Sequence, residues 1–258
     1  MCSSRQIPLF LFLLLLCSCT VLEDRADCPC HLHLDFSDPA NLVSDTLCVH
    51  LSSGTFSKTI LFPSKKYSEG LIVTVPGHTG INLTVLDNES RRCHNAGEIR
   101  IPVGEQCPRT YLFASFCDTS GPEAEAYVRI RKNYCGLSIT FNSGDADNYE
   151  MKISGNVCGF GRDGLPLGGA FRVAPAFDGS SVGFTRIPRQ IDNSLVLSVI
   201  SDSGMTRNFA LGSYIVESGY DWTKADLDDI AVTIDYAATS VSISVGKWEK
   251  DISCEVLI

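Results

Sequence analysis

His31-Leu32-His33-Leu34-Asp35-Phe36-Ser37 places apolar side chains at 32, 34 and 36 and polar ones at 31, 33, 35 and 37. In an extended chain that period of two sends one set to each face, the pattern of a strand with one face buried. The same alternation returns at Ile81, Leu83 and Val85, at Val128 and Ile130, and at Leu137, Ile139 and Phe141. It returns again at Val232, Ile234 and Tyr236, and at Val241, Ile243 and Val245. Turn-forming clusters such as Pro76-Gly77-His78, Ser143-Gly144-Asp145 and Asp202-Ser203-Gly204 separate the runs, at spacings that suit antiparallel sandwiches rather than βαβ units. The chain reads as all-β. Helix signals are few: Thr223-Lys224-Ala225-Asp226, where Thr223 would cap one or two turns, and a second short helix over 211–218.

The stretch 155–169 holds six glycines and Pro166 between strand-like patterns. It reads as a linker, so the expected division is an N-terminal sandwich over 31–160 and a C-terminal one over 161–258. No short-period repeat is legible, although two sandwiches of similar size are compatible with a distant structural repeat.

The N-terminus sets the expected compartment. Arg5 precedes an apolar run from Ile7 to Leu16, too short to span a bilayer as a stable helix and suited to a signal-peptide core. Leu16-Cys17-Ser18-Cys19 follows, with small Ser18 directly before Cys19, the arrangement that lipoprotein processing requires. Residues 1–18 are then the signal peptide, Cys19 the lipidated N-terminus and 19–30 the tether. Cys17 is the poorer acceptor because bulky Leu16 precedes it. The acidic pair Glu23-Asp24 shortly after the lipid site is similar to the surface-export signal of some Gram-negative lipoproteins, its competing reading being an ordinary polar tether.

Without residues 1–18 the chain carries 20 Lys+Arg against 30 Asp+Glu, a net charge of -10, which argues against nucleic-acid binding. Nine cysteines remain after Cys2, Cys17 and Cys19 are set aside, an odd number for an oxidising envelope, so at least one thiol stays free or pairs elsewhere. Cys28-Pro29-Cys30 lacks the spacer of redox and zinc pairs. Apart from the covalent lipid on Cys19, of the palmitate type, no cofactor or metal is expected.

Gly159-Phe160-Gly161-Arg162-Asp163-Gly164 spells a dinucleotide fingerprint, but Leu165-Pro166-Leu167-Gly168-Gly169 follows, and a helix whose N-terminus could meet a pyrophosphate cannot be built on it. Gly179-Ser180-Ser181-Val182-Gly183 matches the nucleophile elbow, whose histidine should come later, yet all five histidines precede Ser181. His31 and His33 share a strand face but lack a nominated third metal ligand. Asp221, Asp226, Asp228, Asp229 and Asp235 lack calcium-loop spacing and read as caps and a solvated face. No catalytic residue is nominated, and the chain is not expected to be an enzyme.

The segment from Leu15 to Arg25, followed by Cys28-Pro29-Cys30 and Leu32-His33-Leu34-Asp35-Phe36-Ser37, resembles the fimbrillin-A-associated anchor lipoproteins of type V fimbriae. A later match runs from Leu211-Gly212-Ser213-Tyr214 through Tyr220-Asp221-Trp222 and Asp226-Leu227-Asp228-Asp229-Ile230 to Ile234-Asp235-Tyr236, Val245 and Trp248. The resemblance implies two tandem transthyretin-like antiparallel β-sandwiches, lipid-anchored in the outer membrane at the cell surface. It also implies a part in fixing a fimbrium to the cell, in adhesion and in limiting fibre length, with fimbrial stalk or accessory subunits as partners. Subunits of such fibres join by β-strand addition. The candidate exchanged strands are Leu32, Leu34 and Phe36 at one end and Val241, Ile243 and Val245 at the other. Stalk subunits of the family lose an N-terminal segment to an arginine-specific protease, whereas cutting here after Arg25 would free the body from its lipid. The Leu32–Phe36 strand is therefore expected to stay and complete its own domain. The competing function is a surface lipoprotein that binds glycans, for which Trp222 and Trp248 are the available aromatic platforms.

Overall fold

The computed structural model describes residues 28–36, 42–88, 98–142, 149–161, 163–177, 181–236, 240–245 and 248–252, with side chains described as far as 236. The first strands are β1 (Cys30–Asp35), β2 (Thr46–Ser53), β3 (Phe56–Pro63), β4 (Leu71–Val75), β5 (Ile81–Asn88), β6 (Ile99–Arg100), β7 (Thr110–Cys117), β8 (Glu123–Tyr127) and β9 (Arg131–Lys132). They are followed by β10 (Tyr134–Asn142), β11 (Tyr149–Phe160), β12 (Pro166–Val173), β13 (Ala176–Phe177), β14 (Val182–Pro188), β15 (Val196–Ser201) and β16 (Thr206–Phe209). A helix α1 (Leu211–Glu217) precedes β17 (Ile230–Asp235), β18 (Ser240–Val245) and β19 (Trp248–Ile252).

In the first sandwich a sheet ordered β4-β1-β8 packs on one ordered β3-β2-β5-β7-β9. In the second, β13-β14-β10-β17-β18-β19 packs on β12-β11-β15-β16. The two are the same topology written twice. The opening strand, β1 or β10, lies between an antiparallel neighbour (β4 or β14) and a parallel closing strand (β8 or β17). The opposite sheets, β3-β2-β5-β7 and β12-β11-β15-β16, correspond strand for strand. This is the transthyretin-like architecture, and its repeat is one of pairing order rather than of sequence.

The expected alternation is realised where both faces of a strand have different surroundings. Leu32, Leu34 and Phe36 are buried while His31 is exposed and His33 half-buried. Leu137, Ile139 and Phe141 on β10 and Val232 and Ile234 on β17 are buried in the second cluster. Each such aliphatic side chain contributes about 1.5–3 kcal/mol of transfer free energy. Val128 and Ile130 are buried in the first cluster but lie outside any strand, held by the Val128 N–H donating to Asp35 O at 2.7 Å.

The buried clusters interleave in sequence: the first takes residues from Cys30 to Ile130, whereas the second takes Cys48, Leu86, Ile99, Ile101 and Cys107 as well as residues from Tyr134 to Tyr236. Two expectations are corrected. The glycine-rich stretch 155–169 is the β11–β12 hairpin, whose pairing shifts register at Gly155/Val157 and Val157/Gly159. Its glycines serve bulges and close approach rather than linker freedom: a Cβ on Gly159, at φ +153°, would stand 1.8 Å from Ile99 O. Residues 223–226 form turns, not a helix. There the acceptor is Asp221, whose Oδ1 receives the Thr223 N–H at 2.8 Å and hydroxyl at 2.6 Å, an Asx turn. The helix over 211–218 is present as α1, with Leu211, Gly212, Tyr214 and Ile215 buried.

Candidate docking strands and the cleft between the sandwiches

β1 is paired along both edges. It runs antiparallel to β4, from Cys30 opposite Val75 to Leu34 opposite Leu71, and parallel to β8, from His31 opposite Glu123 to Asp35 opposite Tyr127. Leu32, Leu34 and Phe36 are 0%, 2% and 1% exposed, and Phe36 stacks on Phe62 at 5.2 Å between ring centroids. A strand so held completes its own sandwich.

At the other end of the chain, β18 pairs antiparallel with β17, placing Val241 opposite Ile234, Ile243 opposite Val232 and Val245 opposite Ile230, and β19 pairs back onto β18. The corresponding edge in the first sandwich is that of β8, which among the described residues carries no further strand. The C-terminal hairpin is therefore an addition to the repeated unit.

The two sandwiches are joined by more than the chain. β6 belongs in sequence to the first sandwich but pairs with β11 of the second, and Ile99, Ile101 and Cys107 are buried in the second cluster. Asp226 accepts from Arg131 Nη1 at 2.9 Å and from the Lys132 backbone N–H at 2.8 Å. Asp229 accepts from Lys132 Nζ and from the Gly136 N–H, each at 2.6 Å. The acidic cluster read from the sequence as caps thus ties β9 to the second sandwich.

Beside these ties lies a cleft of about 1060 Å³. Its walls combine exposed Leu165, Ile191 and Val216 with Arg131, Asn133, Arg189 and Trp222. Arg189 spans the floor: Nε donates to Asn133 Oδ1 at 2.7 Å and Nη1 to the carbonyl oxygen of Trp222. Burial lowers its pKa. Asn133 Nδ2, Gln190 Oε1 and Trp222 Nε1 are buried without a hydrogen-bond partner among the described residues. On the rim, hydrogen bonds from Ser194 and Asn156 hold the Asp192 carboxyl below the usual carboxylate range. Sequence reading did not find this cleft, because its walls come from positions 112–225 and no local pattern unites them.

Cys19, Glu23 and Asp24 lie outside the described residues, and for Val241, Ile243, Val245 and Trp248 only backbone pairing is described. The glycine fingerprint at 159–164 turns into strand β12, and Ser181 precedes strand β14 rather than a helix. No group of three metal-ligating side chains converges among the described residues, and none of their helices is long and apolar enough to cross a membrane. Trp222 is 8% exposed, its ring at 4.6 Å from that of Tyr220, so it packs rather than presenting a platform.

Topology and site define an all-β, double-sandwich protein with both candidate docking strands paired in cis. Neither protein-family models nor curated proteins match the chain. Solved structures do share the fold. A protein of Bacteroides thetaiotaomicron described as a candidate polysaccharide-binding protein matches with a TM-score of 0.61 at 11% identity, over 87% of this chain and 98% of that one. The fimbrial anchor protein Mfa2 of Porphyromonas gingivalis matches with a TM-score of 0.58 at 13% identity, over 86% and 99%. A candidate adhesin of Bacteroides thetaiotaomicron gives 0.57 at 13% identity, over 89% and 100%.

Proposed function

We propose that the chain is an outer-membrane lipoprotein, held by the lipid on Cys19, that anchors a fimbrium to the cell surface and terminates its assembly by β-strand addition to a stalk subunit. The observation that carries this reading is β1, whose two edges are already occupied by β4 and β8. A propagating subunit must offer an open groove to the next one, whereas a sandwich completed by its own first strand suits the end of a fibre. The likeness in fold to a fimbrial anchor protein supports the same reading. Glu23-Asp24 would act as the export signal that takes the lipidated protein to the surface.

A second reading, glycan binding, draws on the cleft with its Arg189, Asn133 and Gln190 side chains and on a fold neighbour described as a candidate polysaccharide binder. Replacing Cys19 by Ala in the native cell separates the two. Under the anchor reading the protein leaves the membrane fraction and fibres lengthen or shed. If it leaves while fibres are unchanged, anchoring fails, and retention of the protein on polysaccharide gels then tests the glycan reading.

A further inference from the structure

Two cysteines stand at one end of the first sandwich. Cys30 opens β1 opposite Val75, the last residue of β4, and Cys117 closes β7 opposite Ile81, the first residue of β5. The chain crosses between the sheets from Val75 to Ile81 and again from Cys117 to Glu123, and Glu123 lies beside His31. Both crossings are made at the same end, and the two cysteines flank them. The crossings are clamped together: Thr119 Oγ1 donates to Pro76 O at 3.0 Å, the His78 N–H to Thr119 O at 2.7 Å, and the His31 N–H to Pro122 O at 2.8 Å. A Cβ on Gly77 would stand 2.2 Å from Cys28 O, so the backbone entering β1 lies hard against the first crossing.

Cys30 and Cys117 are 0% and 6% exposed and belong to one buried cluster, on opposite sheets. Burial raises the Cys117 pKa, and the neighbouring Cys30 thiol raises it further. The alternatives are placed less well: Cys28 is exposed, and Cys48 packs in the other cluster.

We propose that Cys30 and Cys117 form an inter-sheet disulfide that staples β1 to β7. The two side chains are not bonded to each other in this structure. Forming the bond breaks two S–H bonds and makes one S–S bond. The two electrons and two protons pass to a disulfide oxidant, such as a thiol–disulfide oxidoreductase of the envelope, which leaves as a dithiol. The inference rests on the export reading above, because such a bond persists in an oxidising compartment. In the closed sandwich Cys30 and Cys117 are 0% and 6% exposed, out of reach of an oxidoreductase. The bond therefore forms while β1 is docking, before the sandwich closes. Once made, it prevents an incoming strand from displacing β1, which suits a subunit that ends a fibre.

The test is a peptide map of the full chain extracted from the cell envelope, alkylated without reduction and cut with trypsin. Cys117 falls alone in peptide 110–129, and Cys30 in peptide 26–58 together with Cys28 and Cys48. The expected result is a 26–58/110–129 pair that is lost on reduction, lost in Cys30→Ser and kept in Cys28→Ser. Full alkylation of Cys30 and Cys117 in the wild-type chain, or linkage of Cys117 to any other cysteine, overturns the proposal. The map reads the bond itself in unaltered protein and does not depend on fibre retention, so its failure leaves the anchor reading to be judged by the Cys19→Ala cells.

Discussion

At the scale of single residues, the polar groups inside the sandwiches determine more than their number suggests. Asp87 is fully buried on β5, and its carboxylate accepts the backbone N–H groups of Val43 at 2.6 Å and Ser44 at 3.0 Å, together with the Ser44 hydroxyl. Asp87→Ala leaves those half-buried donors unmatched and should lower unfolding free energy by about 1–2 kcal/mol, read from urea denaturation. Nothing local in Val85-Leu86-Asp87-Asn88 announces this role, since its partners lie more than forty residues away. Tyr111 gives a pH prediction. Burial and its Tyr134 neighbour push its hydroxyl up to about 12, above the unfolded value near 10. A raised folded pKa means that the stabilising contribution is complete below about pH 10 and is lost as pH rises through about 12. Tyr111→Phe should therefore flatten the fall in stability over that window, measured by circular dichroism during alkaline titration. An unchanged fall would reassign the effect to other groups.

At the scale of elements, alternation was readable where a strand separates core from solvent, as in β1, β10 and β17. Leu32→Ala should cost about 2–5 kcal/mol, because the neighbouring strands on both sides of β1 prevent the site from collapsing onto the cavity. Trypsin-like cleavage after Arg25 should release the body with β1 still in place, and a fibre-bound form starting downstream of β1 would contradict that expectation. Glycine content was legible but its meaning was not. Gly159 is needed because β6 crosses directly over it, and Gly159→Ala should detach β6 from β11. Faster amide exchange at Ile101, whose N–H donates to Cys158 O at 2.7 Å, would report this. The expected helix at 223–226 failed for a related reason: Thr223 donates both its N–H and its hydroxyl to Asp221, which closes a turn instead of capping a helix.

At the scale of the molecule, β6 and the Asp226 and Asp229 ties connect two cores that the chain order alone would leave independent. Chemical unfolding should accordingly show one transition by both tryptophan fluorescence and circular dichroism. Asp226→Ala combined with Asp229→Ala should separate it into two, since those exposed pairs are individually weak but also hold the backbone of Lys132 and Gly136. If the double variant unfolds in one coincident transition, β6 alone suffices to couple the sandwiches.

The sequence by itself determined that the chain is all-β and which face of its clearest strands is buried, because alternation at a period of two is a local property that survives any tertiary arrangement. It also carried the expectation of a lipid on Cys19. Only the tertiary structure decided that early residues such as Ile99 and Cys107 join the second core, that the strand orders repeat, that the glycine-rich stretch is a hairpin and that a cleft lies between the cores. Those features depend on which distant strands become neighbours, and β-pairing partners are chosen by the summed burial of whole faces rather than by any signal within a single strand.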